Sequence, residues 1–143
     1  MKKFRYLLVS LSALCYGSIT SAADFENPQQ VVDTYITAVS TGSGAHVEMA
    51  YTEDSTIKFY DREGRYRAYT RESFAKAVDT GKKWDANIEI TELLITGKVA
   101  NATVEFTWGE NGEHGYVDYL NLINADGSWR ITNKVAQYIS RKK

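Results

Sequence analysis

The sequence predicts an α+β domain, with helices lying on one face of a curved antiparallel sheet. Three observations predict it. Apolar residues recur at helical spacing early in the chain. Long segments of alternating polarity, separated by turn residues, fill its second half. No linker, repeat or low-complexity stretch interrupts the 143 residues, which is one domain's worth of chain.

The first helix begins at Asn27-Pro28-Gln29-Gln30, where Asn27 suits the cap, Pro28 the first turn and Gln30 the position of a capping-box partner. Val31, Val32, Tyr35, Ile36 and Val39 follow on one side, and Thr41-Gly42-Ser43-Gly44 ends the helix. A short second helix is expected over Ala45 to Ala50. Ser55 to Asp61 alternates as a strand, Gly64 turns it, and Arg65 to Tyr69 returns. Thr70 caps a third helix over Arg71 to Thr80, followed by Gly81, the residue type a helix C-terminus favours. From Trp84 onward the signal is β only. Ala86 to Thr96, Ala102 to Trp108, Tyr116 to Ile123 and Ser128 to Ile139 form a meander, with turns at Gly97-Lys98, Asn111-Gly112 and Asp126-Gly127.

The segment before this domain reads as a leader. Lys2, Lys3 and Arg5 precede an apolar run from Tyr6 to Tyr16, too short to span a bilayer, and small residues follow at Ser21, Ala22 and Ala23. The pattern is that of a secretory signal peptide over 1–23, cut after Ala23 or Ala22, which leaves a single domain over 24–143 in the periplasm or outside the cell. An N-terminal anchor is the alternative. A lipoprotein fits poorly, because Leu14 precedes Cys15 where a small residue is needed. Removing three cations with the leader leaves 14 basic against 18 acidic side chains, a net charge of −4. That balance excludes binding driven by nucleic-acid phosphates. Cys15 is the only cysteine, so the processed chain has no thiol for catalysis, disulfides or metal ligation.

Two stretches carry a resemblance. Gly115-Tyr116-Val117-Asp118-Tyr119-Leu120-Asn121-Leu122-Ile123, followed by Asp126-Gly127-Ser128-Trp129-Arg130-Ile131-Thr132-Asn133-Lys134-Val135, resembles the C-terminal signature of the lumazine-binding branch of the NTF2-like superfamily. Tyr51-Thr52-Glu53-Asp54-Ser55-Thr56-Ile57 stands where that superfamily leads into its first strand. The resemblance implies a cone, a bent sheet wrapped around about three N-terminal helices, and the branch name implies a pterin-like ligand. It also implies homodimers. In the superfamily's steroid isomerases, a first-helix tyrosine and a protonated strand aspartic acid donate to an oxyanion, while a first-strand carboxylate takes the proton. By resemblance Tyr35 and Asp118 occupy the first two positions as candidate catalytic residues. The base position falls on Phe59, which accepts no proton and counts against isomerase chemistry.

Read by themselves, Tyr35 lies on the buried side of its helix, and a buried phenol needs a partner. Asp118 shares a strand face with Tyr116, Leu120 and Leu122, so it is either paired, with Asn133 or Lys134 on a neighbouring strand, or neutral. Candidate ligand-binding residues are Tyr35, Tyr51, Phe59, Phe74, Trp84, Trp108, Asp118 and Asn133, with Tyr119 as a further wall. Asp61 is the nearest spare carboxylate to the missing base, but its place where the hairpin turn begins is the better explanation of it. His46 and His114 are far apart and make no metal site, and no cofactor motif is present. Arg62, Arg65, Arg67 and Arg71, interleaved with tyrosines, read as the solvated face of an edge hairpin. Three functions stay open: a module binding a small planar or apolar molecule in the cone, an isomerase or dehydratase using Asp118 and Tyr35, and a homodimeric interaction domain.

Overall fold

The computed structural model describes residues 24–141; the expected signal peptide, 1–23, lies outside the described residues. The elements run α1 (Pro28–Thr41), α2 (Gly44–Ala50), β1 (Tyr51–Tyr60), β2 (Tyr66–Thr70), α3 (Arg71–Val78), β3 (Asn87–Thr96), β4 (Val99–Trp108), β5 (His114–Ala125) and β6 (Ser128–Ser140). The architecture is the α+β cone: three helices on the inner face of one curved sheet. Its strand order is β2-β1-β6-β5-β4-β3.

One feature of the sheet corrects the sequence expectation. The strands are not all antiparallel, because β1 runs parallel to β6, with Ile57 beside Lys134 and Phe59 beside Ala136. After β2 the chain leaves through α3, enters the sheet again at its far edge as β3, and returns by three hairpins. The last strand therefore arrives beside the first in the same direction, an arrangement that needs a long crossover. The β4–β5 connection is also longer than the two-residue turn expected at Asn111-Gly112. It runs from Gly109 to Glu113, with Gly109 and Gly112 both at positive φ.

Helix starts follow their side chains. Asn27 accepts from the Gln30 backbone nitrogen at 3.1 Å, and Pro28 opens α1. Gln30 reaches back one residue further than expected, to the Glu26 nitrogen at 2.9 Å. Thr70 and Ser73 form a reciprocal capping box on α3. At the other end of α1, Gly42 sits at φ 69°, and a Cβ there would fall 2.8 Å from the Lys82 backbone nitrogen. Only glycine lets the connection between α3 and β3 lie this close to the helix end. That contact delivers Trp84, whose backbone nitrogen bonds the Ser40 carbonyl at 2.8 Å.

Two bulges set which side chains face inward. Thr91 has no register partner between Ile90 and Glu92 in β3. Thr132 has none in β6, where Asn121 pairs with Asn133 while Leu122 pairs with Ile131. Each extra residue reverses the inward and outward alternation beyond it. In β6, Trp129 and Ile131 face the core before the bulge, and Lys134 and Ala136 face it afterwards.

Asp61 closes the β1–β2 hairpin. Its Oδ1 accepts from the backbone nitrogens of Glu63 at 3.0 Å and Arg65 at 2.9 Å. Its Oδ2 takes the side chains of Arg65 at 3.0 Å and Arg67 at 2.9 Å. Two of the four clustered arginines thus hold a turn. Desolvation pushes the carboxyl up, but the Arg65 backbone and the two guanidiniums outweigh it and lower the pKa from 3.8 to about 2. A folded pKa below the unfolded one stabilises the fold above the unfolded value, and the stabilisation is lost as pH falls. Asp61→Asn is expected to lower the melting temperature at neutral pH, and the gap to the parent protein should close between pH 3.8 and about 2. Thermal unfolding across that range checks it; a gap unchanged at the acidic end would contradict this role.

Candidate functional site

Helices and sheet do not meet completely. Between α1, α3, the connection carrying Trp84 and the inner face of the sheet lies a hollow of about 200 Å3, open on one side. Its walls are Tyr35, Val39, Phe59, Phe74, Val78, Trp84, Phe106 and Tyr116, and two ionisable side chains, Asp118 and Lys134, join them. Trp84 stacks on Phe106 with centroids 5.4 Å apart, and Phe59 meets Tyr116 edge-on at 6.2 Å. Ala136 is the direct neighbour of Asp118, and Ala102 of Leu120.

Asp118 comes from the middle of β5 and Lys134 from β6 just beyond the bulge. Register sets Asp118 opposite Ala136 and Lys134 opposite Leu120. The two are diagonal neighbours on one face, a separation that long side chains bridge. Lys134 Nζ lies 3.0 Å from Asp118 Oδ2, with the lysine side chain 8% and the aspartate side chain 3% exposed. The ammonium also donates to the Tyr35 hydroxyl at 2.7 Å. Tyr35 in turn donates its own proton to Asp118 Oδ2. Three rings surround the ammonium, with the centroids of Phe74 at 4.9 Å, Tyr35 at 5.2 Å and Phe59 at 5.7 Å. Such contacts favour a cation over aromatic faces.

The electrostatics follow from this closed set. Burial, reinforced by the charge of Asp118, pushes the Tyr35 phenol well above its ordinary value, and Tyr51 moves the same way for the same reasons. Tyr35 therefore stays protonated and remains a donor to Asp118. Lys134 and Asp118 cancel each other's charge. Asp118 Oδ1 is buried with no hydrogen-bond partner. An unmet acceptor of this kind costs about 1–3 kcal/mol of stability.

Of the candidates read from sequence, Tyr35, Phe59, Phe74, Trp84 and Asp118 line the hollow. Tyr51 does not; it packs behind Tyr35, ring centroids 5.8 Å apart, with its hydroxyl buried and unpartnered. Trp108 stands outside the lining, against Trp84 at 5.2 Å, beside a polar cleft with Asp85 and Arg141. Asn133 is on the opposite face, contrary to expectation, because the Thr132 bulge turns it outward. There it joins a ladder across four strands, in which Asn101 donates to Asn121, Asn121 to Asn133 and Asn133 to Thr56, each at 3.1 Å. Tyr119 also points out and is 50% exposed. Asp61 is held in its turn. His46 bonds Ser43 at 2.7 Å, and His114 bonds the Tyr138 hydroxyl at 2.7 Å. Arg141, just past the end of β6, pairs with Glu105 at 2.7 Å.

Lys134 is the residue whose place at the site sequence reasoning undervalued, as it entered only as a structural partner for Asp118. The signal was an alternation that breaks at Thr132, and only the register across β5 reveals it.

Comparison with known proteins agrees with this fold. A family model described as "Putative lumazine-binding" matches residues 23–137. The chain belongs to that family. Solved structures agree on the fold. An NTF2-like protein of unknown function from Shewanella baltica OS155 aligns with a TM-score of 0.66 and 17% identity, covering 77% of this chain and 89% of that one. Another NTF2-like protein of unknown function, from Methylobacillus flagellatus KT, gives 0.65 and 26% identity over 78% and 89% of the two chains. A ketosteroid isomerase-like protein from Erwinia carotovora atroseptica SCRI1043 gives 0.59 and 19% identity over 78% and 93%. A search of curated proteins finds no match.

The ion pair makes a sharp stability prediction. Removing one partner strands the other charge in the interior, whereas replacing the whole set with apolar side chains of similar volume does not. Lys134→Met is expected to destabilise the protein by about 3–5 kcal/mol. The triple variant Tyr35→Phe/Asp118→Leu/Lys134→Met should recover most of that loss. Urea unfolding of both variants provides the comparison, and a single variant as stable as the parent would show that the pair is not buried as described.

Proposed function

We propose that this protein is exported and binds a small planar molecule in the hollow of the cone. The observation that supports the reading is an unfilled space of about 200 Å3 walled by aromatic rings, with a neutral Tyr35–Asp118–Lys134 cluster on one side. Cores are ordinarily packed to the density of organic crystals, so a space of this size needs a reason. A cavity of about 150 Å3 accepts benzene, and pockets for drug-sized ligands begin near 300 Å3. The space therefore suits one ring or two fused rings, with any larger substituent projecting through the open side. The leader pattern in 1–23 supports export.

The isomerase reading is the weaker one. An oxyanion site needs donors, but Tyr35 gives its proton to Asp118, and Asp118 faces an ammonium. The base position is filled by the Phe59 ring. Pairing of two copies through the outer face of the sheet accords with the family, and the cross-strand pairs Val99–Ile123 and Tyr119–Val135 are largely exposed there.

Pteridine-2,4-dione, the ring named in the family description, is a suitable first probe. It should raise the melting temperature with concentration and quench tryptophan emission through Trp84. Val39→Phe fills the hollow from α1 and should remove both effects while leaving the circular dichroism spectrum unchanged. A shift of equal size in Val39→Phe would place binding elsewhere and contradict the reading.

A further inference from the structure

We propose that the connection from α3 to β3, residues 79–86, is a movable strap, and that Trp84 on it is the wall of the hollow that swings aside. Its use in admitting a ligand rests on the binding reading above; the motion itself does not.

The aromatic walls differ in what holds them. Tyr35 stands on α1, Phe74 on α3, Phe59 on β1, Phe106 on β4 and Tyr116 on β5, each within the hydrogen-bonded backbone of its element. Trp84 alone among these rings comes from a segment with neither helix nor strand pairing. Two backbone bonds tie that segment to the end of α1. The Gly81 nitrogen donates to the Gly42 carbonyl at 2.9 Å, and the Trp84 nitrogen to the Ser40 carbonyl at 2.8 Å. Lys82, Lys83 and Asp85 are exposed, so the half-buried Trp84 is the main apolar anchor. Its indole packs on Phe106 at 5.4 Å and on Trp108 at 5.2 Å. A segment with so few buried contacts and so few backbone bonds opens more readily than the core around it.

A glycine stands on each side of the first bond. Gly81 is at φ 63°, and a Cβ there would meet nothing within 4 Å, so the backbone has room to turn. Hinges absorb a motion at a few positions of this kind. Gly42 is the opposite case. A Cβ there would fall 2.8 Å from the Lys82 nitrogen and 2.9 Å from its carbonyl oxygen, which only a displaced strap avoids. With Trp84 aside, Trp108 becomes the next wall, and the hollow takes a ring system larger than its closed space of about 200 Å3 holds.

The three tryptophans, Trp84, Trp108 and Trp129, make the motion observable. Labelling with 5-fluorotryptophan gives each a 19F resonance, assigned by replacing each tryptophan with phenylalanine in turn. Relaxation dispersion is expected to show microsecond-to-millisecond exchange at Trp84 and a flat profile at Trp129, which is buried in the core. Gly42→Ala crowds the closed strap, and Gly81→Ala strains its hinge. Each should raise the open population about fivefold or more and move the Trp84 resonance toward that of an exposed indole. Circular dichroism checks the fold of both variants, and Gly81→Ala, which introduces no clash, decides the matter if Gly42→Ala does not fold. Saturating the parent protein with pteridine-2,4-dione should suppress the exchange. A flat profile at Trp84 in the parent, or a Trp84 resonance that stays in place in the folded variants, would overturn the strap. Binding of the dione with the exchange unchanged would overturn its role at the site. Failure of the dione to bind, with the exchange present, would count against the binding reading and leave the motion standing.

Discussion

A lysine and an aspartate held out of water within the cone constrain everything around them. Neither charge is tolerable there alone, since desolvating each costs several kcal/mol even after relaxation. They persist because β5 and β6 bring them to a diagonal contact of 3.0 Å, and because Tyr35 crosses from α1 to bond both. The helix layer and the sheet are thus joined by a polar tie inside an otherwise apolar core. That tie fixes where α1 sits on the sheet. The set also forms part of the wall of the hollow, through Tyr35, Asp118 and Lys134.

The same lysine changes what the cone can do. A tyrosine on the first helix and an acid on a late strand are the parts from which an oxyanion site is built when both carry protons to donate. With an ammonium beside the acid, the polarity reverses. The acid becomes an acceptor, and the tyrosine proton is engaged within the set. The Tyr35 proton is given to Asp118, so it is not free for an incoming oxygen. Fold likeness to a ketosteroid isomerase-like protein at 19% identity is compatible with that, because function resides in the residues of the site and not in the cone.

Much of the architecture was legible in the sequence, for identifiable reasons. Asn27-Pro28 and Thr70 through Ser73 announce helix starts through local hydrogen bonds, and the alternation from Ala102 to Trp108 is long enough to fix a strand face. The candidate site was legible in part. Tyr35 and Asp118 stood out as polar groups on apolar faces, and both line the hollow. What escaped were consequences of register. Strict alternation from Trp129 and Ile131 carries Asn133 inward and Lys134 outward; one bulged residue, Thr132, reverses both. The parallel pairing of β1 with β6 escaped for a related reason, as it depends on where the chain returns after α3 and not on any local pattern. Trp108 and Tyr51 were assigned to the cavity wall on size alone, and aromatic bulk does not distinguish a wall from the packing behind it.

Observation of the Asp118 carboxyl carbon by NMR, in the free protein and during titration with pteridine-2,4-dione, tests this account most directly. The account predicts that this resonance and the Lys134 ammonium respond together as the ring enters, while the Asp61 carboxyl, held in its hairpin turn, does not move. A ring that binds while Asp118 and Lys134 stay unperturbed would contradict it, because the polar cluster would then be only a brace for the fold.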